Sequence, residues 1–188
     1  MKKRFNLFIL LGALLIFAGL GAMVLTQNSA EENRISATET AEKIMAVLPP
    51  ATEGLEGMYS FSEMPAMSVD GTDYIALLKA EKYGVKMPIA NRWSKNSAEK
   101  HPCRFTGSCY DGSMVIGAGE VHFAFLAQLD IGDKITVTDM LGAEFNYTVE
   151  KILRSDSAEA EKLTAGDYPL VLFTFSSREN KYIIVNCG

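Results

Sequence analysis

Hydrophobic and polar positions divide the chain into three unlike stretches. The first is unbroken: Leu7 to Thr26 reads LFILLGALLIFAGLGAMVLT, about 20 residues without a charge. That length crosses ~30 Å of hydrocarbon as a helix. The second stretch, Ser29 to Val47, alternates at helical spacing. Ile35, Ala41, Ile44, Met45 and Leu48 recur between Glu31, Glu32, Glu39, Glu42 and Lys43, and Pro49-Pro50 ends the run. It predicts a helical spacer between membrane and domain. Ala51 to Gly71, with Gly54, Gly57 and Pro65, has no period and reads as loop. From Thr72 onward the pattern changes to short apolar runs separated by turn residues, which predicts a barrel or sandwich. The expected strands are Tyr74–Ala80, Val85–Ala90, Met114–Ile116, Lys134–Thr138, Glu144–Leu153, Leu170–Thr174 and Tyr182–Val185. Gly132-Asp133 and Leu141-Gly142 are turns. His122 to Leu129, with Phe123, Leu126 and Leu129 on one face, is a short helix.

Charge orients the first stretch. Lys2, Lys3 and Arg4 precede it; Gln27, Asn28, Glu31 and Glu32 follow. The positive-inside rule then leaves the tail of residues 1–6 in the cytoplasm, 7–26 as a single transmembrane anchor and the rest at the outer face. The rival reading is a cleaved signal peptide. It calls for an apolar core of ~7–15 residues and a small-x-small site, whereas this core is longer and Ala22 and Ala30 lack a suitable partner two residues upstream.

Composition excludes several classes. The chain has 188 residues, 48% hydrophobic and 22% charged, which is globular. Net charge is −5; setting aside the three leading cations, 15 Lys+Arg (18 less 3) face 23 Asp+Glu, or −8. So acidic a surface argues against a nucleic-acid partner. Three cysteines and two histidines, all scattered, match no zinc site. No phosphate-loop, dinucleotide, H-E-x-x-H or G-x-S-x-G motif is present. Asp130, Asp133, Asp139 and Glu144 surround two turns but lack the dense D-x-D-x-D-G spacing of a calcium loop. The expectation is no metal and no cofactor.

Four segments, in order, carry a likeness to a known family: DYIALLKAEKYGVKMPIANRWS, HPCRFTGSCYDGSMVIGAG, HFAFLAQLDIGDKITVTDMLGAEFNYTVEKI and LVLFTFSSRENKYIIVNCG. Over Thr72 to Gly188, together with the anchor and helix before it, the chain resembles the sortases, membrane-anchored cysteine transpeptidases of Gram-positive surfaces. The resemblance implies a mostly β fold, a closed barrel of about 7–8 strands with short helices over 72–188, joined by a spacer and linker (27–71) to the anchor. It also implies three reactive residues: a cysteine that attacks a sorting-signal carbonyl, a histidine acid–base and an arginine at the oxyanion.

This chain departs at all three. The T-L-x-T-C pattern reads LFTF, so Phe175 stands at the nucleophile position. The glycine–histidine pattern reads GAGE, so Gly119 stands at the histidine position, or Glu120 if the register slips. Tyr182 stands at the arginine position, beside Lys181. A phenyl ring has no lone pair and forms no acyl intermediate. The resulting expectation is a sortase-like protein without transpeptidase activity, acting as a binding or scaffold module. Its implied partners are the membrane and a sorting-signal peptide, a surface protein or another sortase.

Two alternatives stay open. One is an active enzyme with a relocated site, Cys109 as nucleophile and His122 as base, with Lys181 or Arg178 supplying a cation. The other is a purely structural, membrane-tethered domain. The plainer readings are a free, partly buried thiol at Cys109, a solvent-facing histidine at the helix start for His122, and a loop histidine at His101. Cys103 and Cys187 read as small core residues on strands or, outside the cell, a disulfide.

Overall fold

The computed structural model describes residues 31–50, 63–159, 163 and 168–188. The apolar segment 7–26 and most of the loop 51–71 lie outside the described residues. Among those described, no helix is long and apolar enough to cross a membrane.

The strands form one closed barrel. β2 (Thr72–Ala80), β3 (Val85–Ala90), β4 (Cys103–Thr106), β5 (Met114–Gly117), β8 (Leu170–Ser176), β9 (Lys181–Cys187), β7 (Glu144–Ser155) and β6 (Lys134–Asp139) pair in that order, and β6 pairs back onto β2. This makes eight strands, as the likeness implied. A ninth, β1 (Met67–Val69), adds to the first residues of β2; it falls in the stretch read as loop, and three residues are too few to show a period.

Most neighbours are antiparallel. Two contacts are parallel and matter for the site: β3–β4, held at Ala90 and Cys103, and β5–β8, held from Met114–Leu170 to Gly117–Phe173. Parallel neighbours need long crossovers: one runs from β3 to β4, and the other runs from β5 to β8 by way of β6 and β7. The first crossover carries α2 (Lys95–Ala98), which the sequence reading missed. Ser94 caps it, accepting from the Ser97 N–H at 3.0 Å. The second carries α3 (Glu120–Phe123), then a 3₁₀ turn over Ala124–Gln128. Phe123, Leu126 and Leu129 are buried on one face of this piece, as predicted.

The barrel interior is a single apolar core that includes Ile75, Leu78, Ile116, Leu126, Val137 and Leu172. Full burial of each such side chain contributes about 1.5–3 kcal/mol. Outside the barrel lies the predicted spacer helix, α1, helical over 31–45 in the described residues. It does more than space. Ala41 and Ile44 pack with Tyr74, Leu77, Ala90 and Met140 in a second cluster, and Lys43 pairs with Asp70 at 2.8 Å. Ile35, counted on its apolar face, is instead 47% exposed.

Candidate functional site

β5 and β8 run side by side to the same end of the barrel and build a groove there. At the last residue of β5 the backbone is crowded. A Cβ on Gly117 would sit 2.4 Å from Phe173 Cζ and 2.5 Å from Trp93, so no other residue fits without repacking. Trp93, Phe105 and Phe173 close over it as an aromatic triangle with centroids 5.3–5.6 Å apart. Such offset and edge-on pairs are each worth ~0.5–1.5 kcal/mol beyond their area.

Past Gly117 the chain turns into α3 through Ala118 and Gly119. The buried Thr174 hydroxyl donates to the Ala118 carbonyl at 2.9 Å, tying this turn to β8. Gly119 donates its N–H to the Ala98 carbonyl at 2.7 Å, which presses the end of α2 against it. Glu120 accepts from the Ser177 N–H at 2.9 Å and so links α3 to the β8–β9 turn. Phe175, near the end of β8, is 40% exposed. Its register partner on β9 is Tyr182, with ring centroids 5.2 Å apart.

The result is a cleft of about 620 Å³ whose walls include Trp93, Phe105, Gly119, Phe173, Phe175 and Tyr182, with Lys95, Glu99 and Glu120 at its edge. The three positions singled out in the sequence, Gly119, Phe175 and Tyr182, therefore meet in one groove. Sequence reading missed its aromatic floor. Trp93 and Phe105 come from the β3–β4 crossover and β4, and nothing in their local pattern separates them from core residues.

The remaining candidates lie elsewhere. Cys109 is buried in the barrel core, its loop held by the Tyr110 hydroxyl donating to Asp139 at 2.6 Å. Burial pushes its thiol up to about 12, against a hydrogen bond from Tyr147 that opposes the rise. A thiol so protonated is a poor nucleophile. His122 is 2% exposed, which corrects the solvent-facing expectation. Its Nε2 lies 3.2 Å from the Glu99 carbonyl, its Nδ1 has no hydrogen-bond partner among the described residues, and burial lowers its pKa. His101 stacks edge-on against Tyr74 and is likewise lowered, by burial first and then by the charges of His122 and Lys100.

Cys103 and Cys187 are free buried thiols with no disulfide between them. They sit in different apolar clusters, and burial pushes both up to about 12. Lys181 stands outside the groove, 3.8 Å from Asp156, and Arg178 is exposed in the β8–β9 turn. The acidic residues around the two turns each have protein partners: Lys82 bridges Asp130 and Asp133, Asp139 accepts from the Leu141 and Ala143 N–H groups, and Glu144 pairs with Lys79. Among the described residues no group of them is arranged to hold a metal ion.

No family model and no curated protein matches the sequence. Solved structures do. Sortase C1 from Streptococcus agalactiae aligns at a TM-score of 0.55 and 18% identity, over 64% of this chain and 69% of that one. Sortase C-3 from Streptococcus pneumoniae aligns at 0.55 and 16%, over 86% and 83%. A Clostridium perfringens sortase D5 transpeptidase aligns at 0.52 and 20%, over 86% and 95%. This chain has the sortase fold.

Proposed function

We propose that the protein is a sortase-fold binding module that holds an extended sorting-signal-type peptide without cleaving it, anchored by its N-terminal apolar segment with the barrel at the outer face of the membrane. The observation that carries this reading is the meeting of Gly119, Phe175 and Tyr182 in one open groove. Acyl transfer through a thioester needs a thiolate in reach of the bound carbonyl. The groove walls contain no cysteine, and all three thiols of the chain are buried with raised pKa values. What the groove offers instead is apolar area, suited to the side chains of an extended peptide. The exposed Phe175 ring supplies a contact where the family's nucleophile would attack.

The test uses the full chain in non-ionic micelles, with labelled LPxTG-type peptides and an amine acceptor, beside Cys109→Ala. Fluorescence anisotropy reads binding and mass spectrometry reads cleavage and thioacyl adducts. Saturable binding without turnover is expected. Turnover that disappears in Cys109→Ala would overturn the inactive reading, and absence of binding across the peptide pool would overturn the peptide-holding one.

A further inference from the structure

A second cleft lies against the β3–β4 crossover. Its volume is about 300 Å³, and its walls include Asp73, Asn91, Arg92, Asn96, Lys100 and His101. It opens where the barrel is most thinly paired, at the single Ala90–Cys103 register contact. Its character differs from the groove's: the walls are polar, and they converge from the start of β2 and from both ends of α2.

The charges are the informative feature. The chain is acidic, at net −5, and several surface lysines and arginines pair with carboxylates: Arg34 with Glu31, Lys43 with Asp70, Lys82 with Asp130 and Asp133, and Arg154 with Glu179. Eight cations have no ion-pair partner among the described residues, and of these Arg92 and Lys100 line this cleft while Lys86, Lys95, Arg104, Lys134, Lys151 and Arg178 do not. Asn91 adds a neutral donor. Its Oδ1 accepts from the Arg104 guanidinium at 2.5 Å, which leaves Nδ2 as the donating end of the amide. Two cations and neutral N–H donors around a small concavity form the arrangement that takes an oxyanion through charge-assisted hydrogen bonds. Asp73 is the one carboxylate in the wall, and the cations outnumber it two to one.

We propose that this cleft is an oxyanion site for a phosphate group, held by Arg92 and Lys100. The crossover that builds it also builds the groove. Arg92 precedes Trp93 of the aromatic floor, and Asn96 and Lys100 flank Ala98, whose carbonyl holds Gly119. A phosphate bound here steadies the segment that forms one wall of the groove. The proposal does not depend on what the groove binds.

The experiment titrates the full chain in non-ionic micelles with inorganic phosphate by calorimetry at fixed ionic strength, with chloride as control so that screening stays constant. Trp93 is the only tryptophan, so its fluorescence reports the crossover without ambiguity. Saturable binding is expected, weakened about tenfold by Arg92→Gln and by Lys100→Gln, each of which removes one charge-assisted contact. Asp73→Asn is expected to tighten binding several-fold. A merely structural effect would not give opposite signs, and melting curves check that the variants fold.

Nanodiscs with and without phosphatidylglycerol identify the source. If phosphatidylglycerol competes with free phosphate, the bound group is a lipid headgroup; if it does not, the ligand is a soluble phosphate. No saturable phosphate uptake, or equal uptake by the wild type and the Arg92→Gln/Lys100→Gln double variant, overturns the proposal.

Discussion

The Gly119 N–H donates to the Ala98 carbonyl at 2.7 Å, and a Cβ built on Gly119 would stand 3.2 Å from that same oxygen and 3.4 Å from Glu99 Cα. Gly119 is thus crowded by the backbone at the end of α2, and a side chain there needs α2 to give by a few tenths of an ångström. Gly119→His is expected to destabilise the protein by about 1–3 kcal/mol, the usual cost of overpacking, read as a lower melting temperature. The combined Gly119→His, Phe175→Cys, Tyr182→Arg variant is then expected to show no peptide cleavage. Turnover by that variant would mean that α2 yields and that the groove is otherwise intact.

Gly117 makes a sharper case. Its missing Cβ is the space occupied by Phe173 and Trp93. Gly117→Ala is expected to cost about 1–3 kcal/mol and to shift the emission of Trp93. Wild-type stability with an unchanged spectrum would show that the two rings have room to move.

Phe175 is expected to behave in the opposite way. At 40% exposure it contributes little to folding. Its replacement by alanine should change stability by less than about 1 kcal/mol while weakening peptide binding several-fold. Equal binding by Phe175→Ala and wild type, measured by anisotropy, would remove the ring from the recognition surface.

The thiols give a pH signature. Cys103, Cys109 and Cys187 are pushed up to about 12 by burial, from an ordinary value near 9. Their folded pKa values exceed the unfolded ones. Their contribution to stability is therefore complete below about pH 9 and is lost as pH rises from there toward 12. Denaturant midpoints are expected to fall across that window. A thiol reagent at pH 8 should label none of the three in the native protein and all three in denaturant; rapid native labelling of Cys109 would contradict its place in the core.

Asp133 sets the acid side. The Asp130 backbone N–H, then Lys82 and the Tyr83 hydroxyl, hold its carboxyl down at about 2. A depressed pKa gives stability that is complete above the unfolded value near 4 and is lost as pH falls from there toward 2. Asp133→Asn is expected to flatten the loss of stability between pH 4 and 2. An unchanged acid limb in the variant would show that other carboxylates dominate it.

Much of the barrel was legible because its strands announce themselves locally. Alternation, β-branched residues and the Leu141-Gly142 turn mark the β6–β7 hairpin, and a hairpin's partner is simply the next strand. The predicted and observed bounds of β3 coincide, and β6 differs by one residue. β1 and α2 went unseen because three or four residues span too little of any period, and α2 is held by one Ser94 cap and by Gly119.

The sequence by itself determined the strand-by-strand alternation, the turns, the apolar face of α1 at Ala41 and Ile44, and the identities at positions 119, 175 and 182. Tertiary structure alone decided what those residues face. The parallel β5–β8 contact joins stretches more than fifty residues apart; it brings Gly119 to Phe175 and lets Trp93 and Phe105 close over Gly117. The burial of His122 and Cys109 followed the same way. A side chain's exposure depends on what the rest of the chain lays over it, and local spacing carries no record of that covering.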